Sequence, residues 1–331
     1  MLTVAACLAV VEHLASESKS TPVSLLVMPD YSLVTLTDTD GTLAAIAPQL
    51  GGWLLRYARP VAGHGLVEAL HCTQAVIDRY PREMYAGSPI LFPIVSFNHA
   101  PGKDHHYEWN GQLYPLPQHG FARRSKWAVV QQDAASITME LSDSEATRTG
   151  YPFAFRHRIA YRLAGGRLHW EQVIENRSSE PMPFGTGFHP YFAVPLTPKS
   201  ERSTCFVEIP DAKRMTMHDR GASFSAKPFP AQNWSVQEDV ADTLFLAGLK
   251  KHELVLVDPG SELEVILNFE EAPQHRFVTL WSKSPEEPYY CLEPWTSLPN
   301  AFTRAKDREL ILVEPQKTFR AAMWMELRKM A

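Results

Sequence analysis

The sequence predicts an all-β protein, a large antiparallel β-sandwich. Three observations carry that expectation. Strand-like runs follow one another closely, two of the junctions have glycine-bearing hairpin turns, and 26 prolines and 17 glycines punctuate the 331 residues. Such spacing favours sheets that fold back on themselves, and no strand–helix rhythm suggests a parallel sheet.

The clearest hairpin is "YEWNGQLYPL" (107–116), whose Asn110-Gly111 pair suits a turn needing positive φ twice. A longer one spans 155–176, with Gly165-Gly166 at its tip. In its first arm Phe155, Ile159, Tyr161 and Leu163 mostly alternate with Arg156, Arg158 and Arg162, as in a strand with one wet face. Further strands are expected at 32–38, 52–59, 127–133, 136–142, 203–209, 252–258, 263–269, 277–282, 308–314 and 319–327. Helical patterns are few: the leader, 73–80 and 300–305. The stretch 210–240 is the least periodic and reads as a long packed loop, because Phe224, Phe229 and Trp234 give it apolar anchors. The expected organisation is a leader over 1–22, helical or frayed, and a single domain over 23–331.

Composition excludes several classes. Apolar residues make up 45% and charged residues 21%, which supports a sizeable core. The net charge is −5 with no basic block, so neither nucleic acid nor an anionic membrane is an expected partner. Cys7, Cys72, Cys205 and Cys291 are scattered and read as free thiols, consistent with a reducing, cytoplasmic setting. The N-terminal apolar run lacks the basic front of a signal peptide and is interrupted by Glu12 and His13. Phosphate-loop, zinc-protease and nucleophile-elbow motifs are absent. His99, Asp104, His105 and His106 cluster before the first hairpin, but their spacing reads as a polar loop rather than a metal site.

Three stretches set one titratable residue among rigid, apolar neighbours: "LPQHGFARRSKW" with His119, "FGTGFHPYF" with His189, and "YYCLEPWTSLPNA" with Glu293. Read as a strand, the second points Phe184, Thr186 and Phe188 one way and Gly185, Gly187 and His189 the other. Glycines there leave room for a ligand, or for tight packing against another strand. In the third, Tyr290 and Leu292 oppose Cys291, Glu293 and Trp295. Pro190 and Pro294 suggest that regular pairing stops near both His189 and Glu293. A glutamate beside Trp295 and Cys291 is desolvated, which raises its pKa and suits it to act as a base. The alternative is a core Glu paired to an Arg.

These motifs resemble the aldose 1-epimerase (galactose mutarotase-like) family. The matching pieces are "GSPILFPI", "NGQLYPLPQHGFAR", "YPFAF", "NRSSEPMPFGTGFHPYF", "DTLF" and "CLEPWTSLPNA", in family order across roughly 33–327. The resemblance implies an antiparallel supersandwich and interconversion of the α and β anomers of an aldose, with no metal or other cofactor. It implies Glu293 as the base at the C1 hydroxyl, His189 as the acid at the ring oxygen, and His119 as a stabiliser of charge there. Asp242 corresponds to a hydroxyl-binding acid, and Trp295 is suited to cover the sugar's apolar face. Where the family commonly has Gly-Arg after "LFP", this chain has Ser96 and Phe97, with Asn98 available as a neutral substitute. A free monosaccharide is therefore the first expectation for the partner of a monomer or homodimer. A hexose 6-phosphate held by Arg123, with Arg124 and Lys126, is the rival. A non-catalytic carbohydrate-binding protein on the same fold is a third possibility.

Overall fold

The computed structural model describes residues 31–238, 243–304, 306 and 308–330. The expected leader over 1–22 lies outside the described residues. Two large antiparallel sheets dominate. The nine-stranded one runs in the order Ala128–Gln132, Ser136–Ser142, Phe155–Ala164, Arg167–Asn176, Thr318–Lys329, Leu263–Asn268, Glu253–Asp258, Phe206–Ile209 and Gln232–Ser235. The second runs Ser223–Phe229, Ala212–His218, Leu244–Ala247, Phe277–Trp281, Tyr289–Trp295, Gly187–Phe188 and Ile90–Leu91, with Tyr191–Ala193 also on Tyr289–Trp295. A four-stranded meander, Val34–Thr37 to Gly65–Glu68, stands before them.

Local sequence explains much of this. Asn110 (φ 49°) and Gly111 (φ 75°) both take the left-handed region that their hairpin requires. Gly165 and Gly166 do the same at φ 59° and 76°. Phe155–Ala164 pairs in unbroken register with Arg167–Asn176, from Phe155↔Asn176 to Ala164↔Arg167, and Phe155, Ile159, Tyr161 and Leu163 are buried on one face.

Three expectations are corrected. The stretch 210–240 is not a loop: it contains the hairpin Ala212–His218/Ser223–Phe229 and the strand Gln232–Ser235. That hairpin lies at a sheet edge with most residues exposed on both faces, so no apolar alternation marks it. The 73–80 helix shrinks to one turn, Gln74–Ile77, before Pro81 restricts the chain. Over its described residues, 300–305 is a turn, with Asn300 at φ 62°.

The core lies between the large sheets. Trp170 meets Phe188 edge-on with ring centroids 5.6 Å apart, and Phe184 meets Phe319 at 5.5 Å. Burying each such ring contributes about 1.5–3 kcal/mol. A polar clamp crosses the same layer: Thr186 Oγ1 donates to Leu91 O (2.9 Å) and to Gln172 Oε1 (3.1 Å).

The glycines of "FGTGFH" serve strand packing. A Cβ on Gly187 would lie 2.6 Å from Trp295 Cδ1 and 2.7 Å from Pro294 O, and one on Gly185 would lie 2.6 Å from Ser297 Oγ. Gly187↔Trp295 is the register pair that joins these strands. Gly187→Ala should therefore cost about 1–3 kcal/mol, the usual penalty of overpacking a filled site, measured by urea unfolding. Wild-type stability in this variant would show that the two strands are not in tight contact.

Candidate active site

Strand alternation in Tyr289–Trp295 separates two environments. Tyr290 and Leu292 enter the main core, while Cys291, Glu293 and Trp295 point to the opposite face. The strand does not stop at Pro294, as the sequence suggested. It pairs through to Trp295, with Glu293 opposite Thr279 and Pro294 opposite Val278. Proline is tolerated because the ladder continues around it on neighbouring residues. Pro190 does mark a break: one short strand ends at Phe188 and the next begins at Tyr191. His189 thus emerges where pairing lapses, with Phe188 still anchored in the core.

A cavity of about 290 Å³ opens on this face. It is lined by His119, His189, Glu293, Trp295 and Arg123, together with residues the sequence did not single out for the site, notably Tyr191, Trp281 and Arg82. The three expected proton-handling residues are all buried, with fractional exposures of 5% for His119, 6% for His189 and 1% for Glu293.

Glu293 Oε2 stands 3.3 Å from His189 Nε2. Burial pushes the Glu293 carboxyl well above its ordinary range, and the Trp295 indole and Arg123 oppose that shift only in part. Burial drives His189 the other way, well below an ordinary imidazole, with Arg123 adding to the effect. The pair therefore carries one proton over a broad pH range, as Glu–COOH with neutral His or as carboxylate with imidazolium. Tyr191 stacks on His189 with centroids 4.5 Å apart and planes 2° from parallel, and its hydroxyl lies 3.4 Å from the same Nε2. Trp281 closes the edge, 5.9 Å away and perpendicular.

His119 is held differently. Its own φ is 61°, and Ser96 N–H donates to its Nδ1 at 3.0 Å. The accepting Nδ1 places the ring proton on Nε2. Burial and the neighbouring Arg123, His189 and Arg124 keep the ring neutral. His119 packs edge-on against His189 (5.4 Å) and Trp295 (5.9 Å). It is thus a fixed neutral donor. Ser96, which stands where the family commonly has glycine, supplies the backbone N–H that orients it.

Not every expected residue joins the cavity. Asn98 is buried outside the lining, where its Oδ1 accepts from Phe302 N (3.2 Å). It secures a loop rather than facing the cavity. Lys126 is likewise absent from the lining. Asp242 lies outside the described residues, although the next residue, Thr243, does line the cavity. The His99–Asp104 contact (2.6 Å) is shared with Arg220, which occupies the carboxylate a cation would need. Among the described residues, the trio of possible ligand atoms lying within 4.8 Å is instead His189, Cys291 and Glu293. The Cys291 thiol is pushed well above its usual range by burial, which disfavours the thiolate that a metal would require.

Tyr191 was within reach of sequence reasoning: two residues beyond His189, it shares that residue's strand phase. Arg82 had no such signal, because it lies in an irregular segment joined to the cavity only by the fold.

Two antiparallel sheets with a buried glutamate–histidine pair at a cavity on one of them define a protein of the galactose mutarotase-like fold. A solved protein of Synechocystis sp. PCC 6803 superposes with a TM-score of 0.77 at 25% identity, over 94% of this chain and all of that one. A galactose mutarotase related enzyme of Lactobacillus acidophilus superposes at 0.73, also 25% identical, over 91% and 98%. The chain belongs to the aldose 1-epimerase family, whose sequence model matches residues 32–326. Among curated relatives, the chromosomal LacX protein of Lactococcus lactis is 25% identical over 220 residues, 61% of this chain and 70% of that protein. No helix among the described residues is long and apolar enough to cross a membrane.

Burial of Glu293 has a consequence for stability. Its folded pKa lies above the unfolded value, so the native state binds more protons and wild-type stability falls as pH rises from about 4.3 towards the folded pKa. Glu293→Gln removes that liability. Its melting temperature should exceed wild type, by a margin that widens from pH 4 to pH 8 in calorimetric scans. A margin that stays constant with pH would contradict the burial account.

Proposed function

We propose that this protein catalyses mutarotation of an aldose by opening and reclosing its ring. The observation that carries the reading is the buried Glu293–His189 pair, 3.3 Å apart at a cavity and shifted in opposite directions by burial. Ring opening needs one proton removed from the C1 hydroxyl and one delivered to the ring oxygen. A pair holding a single proton meets that need without a cofactor, nucleophile or metal.

In the reactive form Glu293 is the carboxylate and His189 the imidazolium. Glu293 takes the C1 hydroxyl proton while His189 protonates the ring oxygen, and the C1–O bond to the ring breaks. The products are the open-chain aldehyde, Glu293 as the carboxylic acid and His189 as neutral imidazole. Rotation about C1–C2 presents the other face of the carbonyl. His189 then removes the proton from the chain hydroxyl as it attacks C1, and Glu293 returns its proton to the carbonyl oxygen. Both protons are back where they began. His119, neutral and with its proton on Nε2, stabilises negative charge at oxygen without competing for the transferred proton. Tyr191 lies flat on His189 and supports the imidazolium through its ring face. Trp295 supplies an apolar wall for the C–H face of a pyranose.

Freshly dissolved α-glucose and α-galactose should lose optical rotation faster with the protein than without it. Glu293→Gln and His189→Ala should each lower kcat by about 10²–10⁴-fold, the usual worth of a general acid or base. Equal rates with and without wild-type protein on these and on charged aldoses would falsify the reading. Because the one-proton pair is the active form, the acidic limb of the kcat/KM profile, where the pair gains a second proton, should lie below an ordinary imidazole's pKa near 6.5, and the basic limb, where that proton is lost, well above an ordinary glutamate's pKa near 4.3. An acidic limb at or above about 6.5 would contradict the one-proton account.

A further inference from the structure

Ser96 lines the cavity and is only 8% exposed, yet its φ is 53°. That left-handed conformation is costly for a residue with a Cβ, whereas glycine adopts it freely. The backbone of Ser96 is committed to His119, whose own φ is 61°. His119 N–H donates to Ser96 O at 2.6 Å, and Ser96 N–H donates to His119 Nδ1 at 3.0 Å. A glycine at position 96 would make both contacts without the strain. The clasp therefore accounts for the backbone of Ser96 but not for its side chain.

The Ser96 hydroxyl has no hydrogen-bond partner among the described residues. Its two neighbours do not serve the cavity. Phe97 is outside the lining, and Asn98 is committed to Phe302 N. Of the three residues considered in place of the family's Gly-Arg step, Ser96 alone lines the cavity. A strained backbone that persists at a cavity points to a use for the side chain that imposes the strain. Here that side chain is a neutral hydroxyl, able to donate one hydrogen bond and to accept others.

The place of Ser96 sets which part of a sugar it meets. Glu293 and His189 stand 3.3 Å apart, His119 meets His189 edge-on at 5.4 Å, and Ser96 is bonded to His119. The four lining residues thus follow one another in the order Glu293, His189, His119, Ser96. With C1 at Glu293 and the ring oxygen at His189 and His119, the next carbon of the ring is C5, and its hydroxymethyl substituent comes to Ser96. From these placements we infer that Ser96 is a specificity-determining residue whose hydroxyl bonds the C6 hydroxyl of a hexose. This rests on the ring-opening reading, which sets the orientation of the sugar. A site that hydrogen-bonds a substrate hydroxyl discriminates against the analogue lacking it.

The test compares glucose with 6-deoxyglucose as substrates of wild type, Ser96→Gly and Ser96→Ala, by polarimetry or exchange NMR. Wild type should favour glucose in kcat/KM by about two- to tenfold, the size of one neutral hydrogen bond. Each substitution removes the hydroxyl, and Ser96→Gly also relieves the strain while keeping both bonds to His119. In both variants the ratio of glucose to 6-deoxyglucose should fall to about one, as a pairwise interaction requires. A merely structural role, acting through His119, would slow both sugars alike and leave the ratio as it was. A wild-type ratio of one or below, or a ratio that survives either substitution, overturns the inference and leaves ring opening standing. If wild type turns over neither sugar, ring opening fails, and calorimetric titration with the same two sugars decides the inference. Tighter binding of glucose that is lost in both variants supports it, and equal or absent binding overturns it.

Discussion

A glutamate buried in the middle of a strand is the constraint around which this site is organised. The backbone of Glu293 is satisfied by pairing with the strand that carries Thr279, so the chain is held in place whatever the side chain's charge. Tyr290 and Leu292 pin the opposite face in the main core. Those contacts are of the size that folding rewards, whereas ionising a carboxyl that is 1% exposed is costly. Proteins retain groups of this kind where function needs them and offset the cost elsewhere. The offset here is the large two-sheet core.

Buried histidines alone do not define such a site. His157 and His275 are also fully buried, and burial lowers both to about 3. His157 is packed between Phe92 (5.0 Å) and Trp127 (5.1 Å), outside the lining of the cavity, and His275 meets Gln172 at 3.2 Å. What distinguishes His119 and His189 is that each has one constrained side and one cavity side. The two are further separated from each other by their partners. A backbone N–H fixes His119 as a neutral donor, while His189 faces the Glu293 carboxyl at 3.3 Å. Identical side chains thus acquire different chemistry from the groups placed against them, a backbone N–H at His119 and a carboxyl at His189.

Strand alternation makes much of this legible in the sequence. The 155–176 hairpin, the turn at Asn110-Gly111 and the two faces of Tyr289–Trp295 follow from side-chain periodicity and turn chemistry alone. The resemblance to the aldose 1-epimerase family supplied the roles, which periodicity does not. What was not legible had physical reasons. The Ala212–His218/Ser223–Phe229 hairpin buries too little on either face to show a pattern. Arg82 reaches the cavity through a tertiary contact between segments some forty residues apart. Asn98, chosen as a neutral stand-in for an arginine, is instead committed to the backbone of Phe302. Chemical similarity at a position says little about which way the side chain turns.

The glycines of "FGTGFH" sharpen the same point. Their lack of side chains does create space, but the space is occupied by Trp295 and Pro294 rather than left open to a ligand. Their effect on the site is therefore indirect. Gly187 lets Trp295 settle against its strand, and Trp295 in turn packs against His119 and flanks Glu293. The same three-residue step sends Phe188 into the core against Trp170 and His189 into the cavity. Core packing and the position of the imidazole are thus set by adjacent residues, the last of one short strand and the first beyond it. A shift of Phe188 moves His189 with it, and the proton transfer we propose across 3.3 Å tolerates little of that movement. The rigidity of the sandwich is in this sense part of the proposed acid–base chemistry.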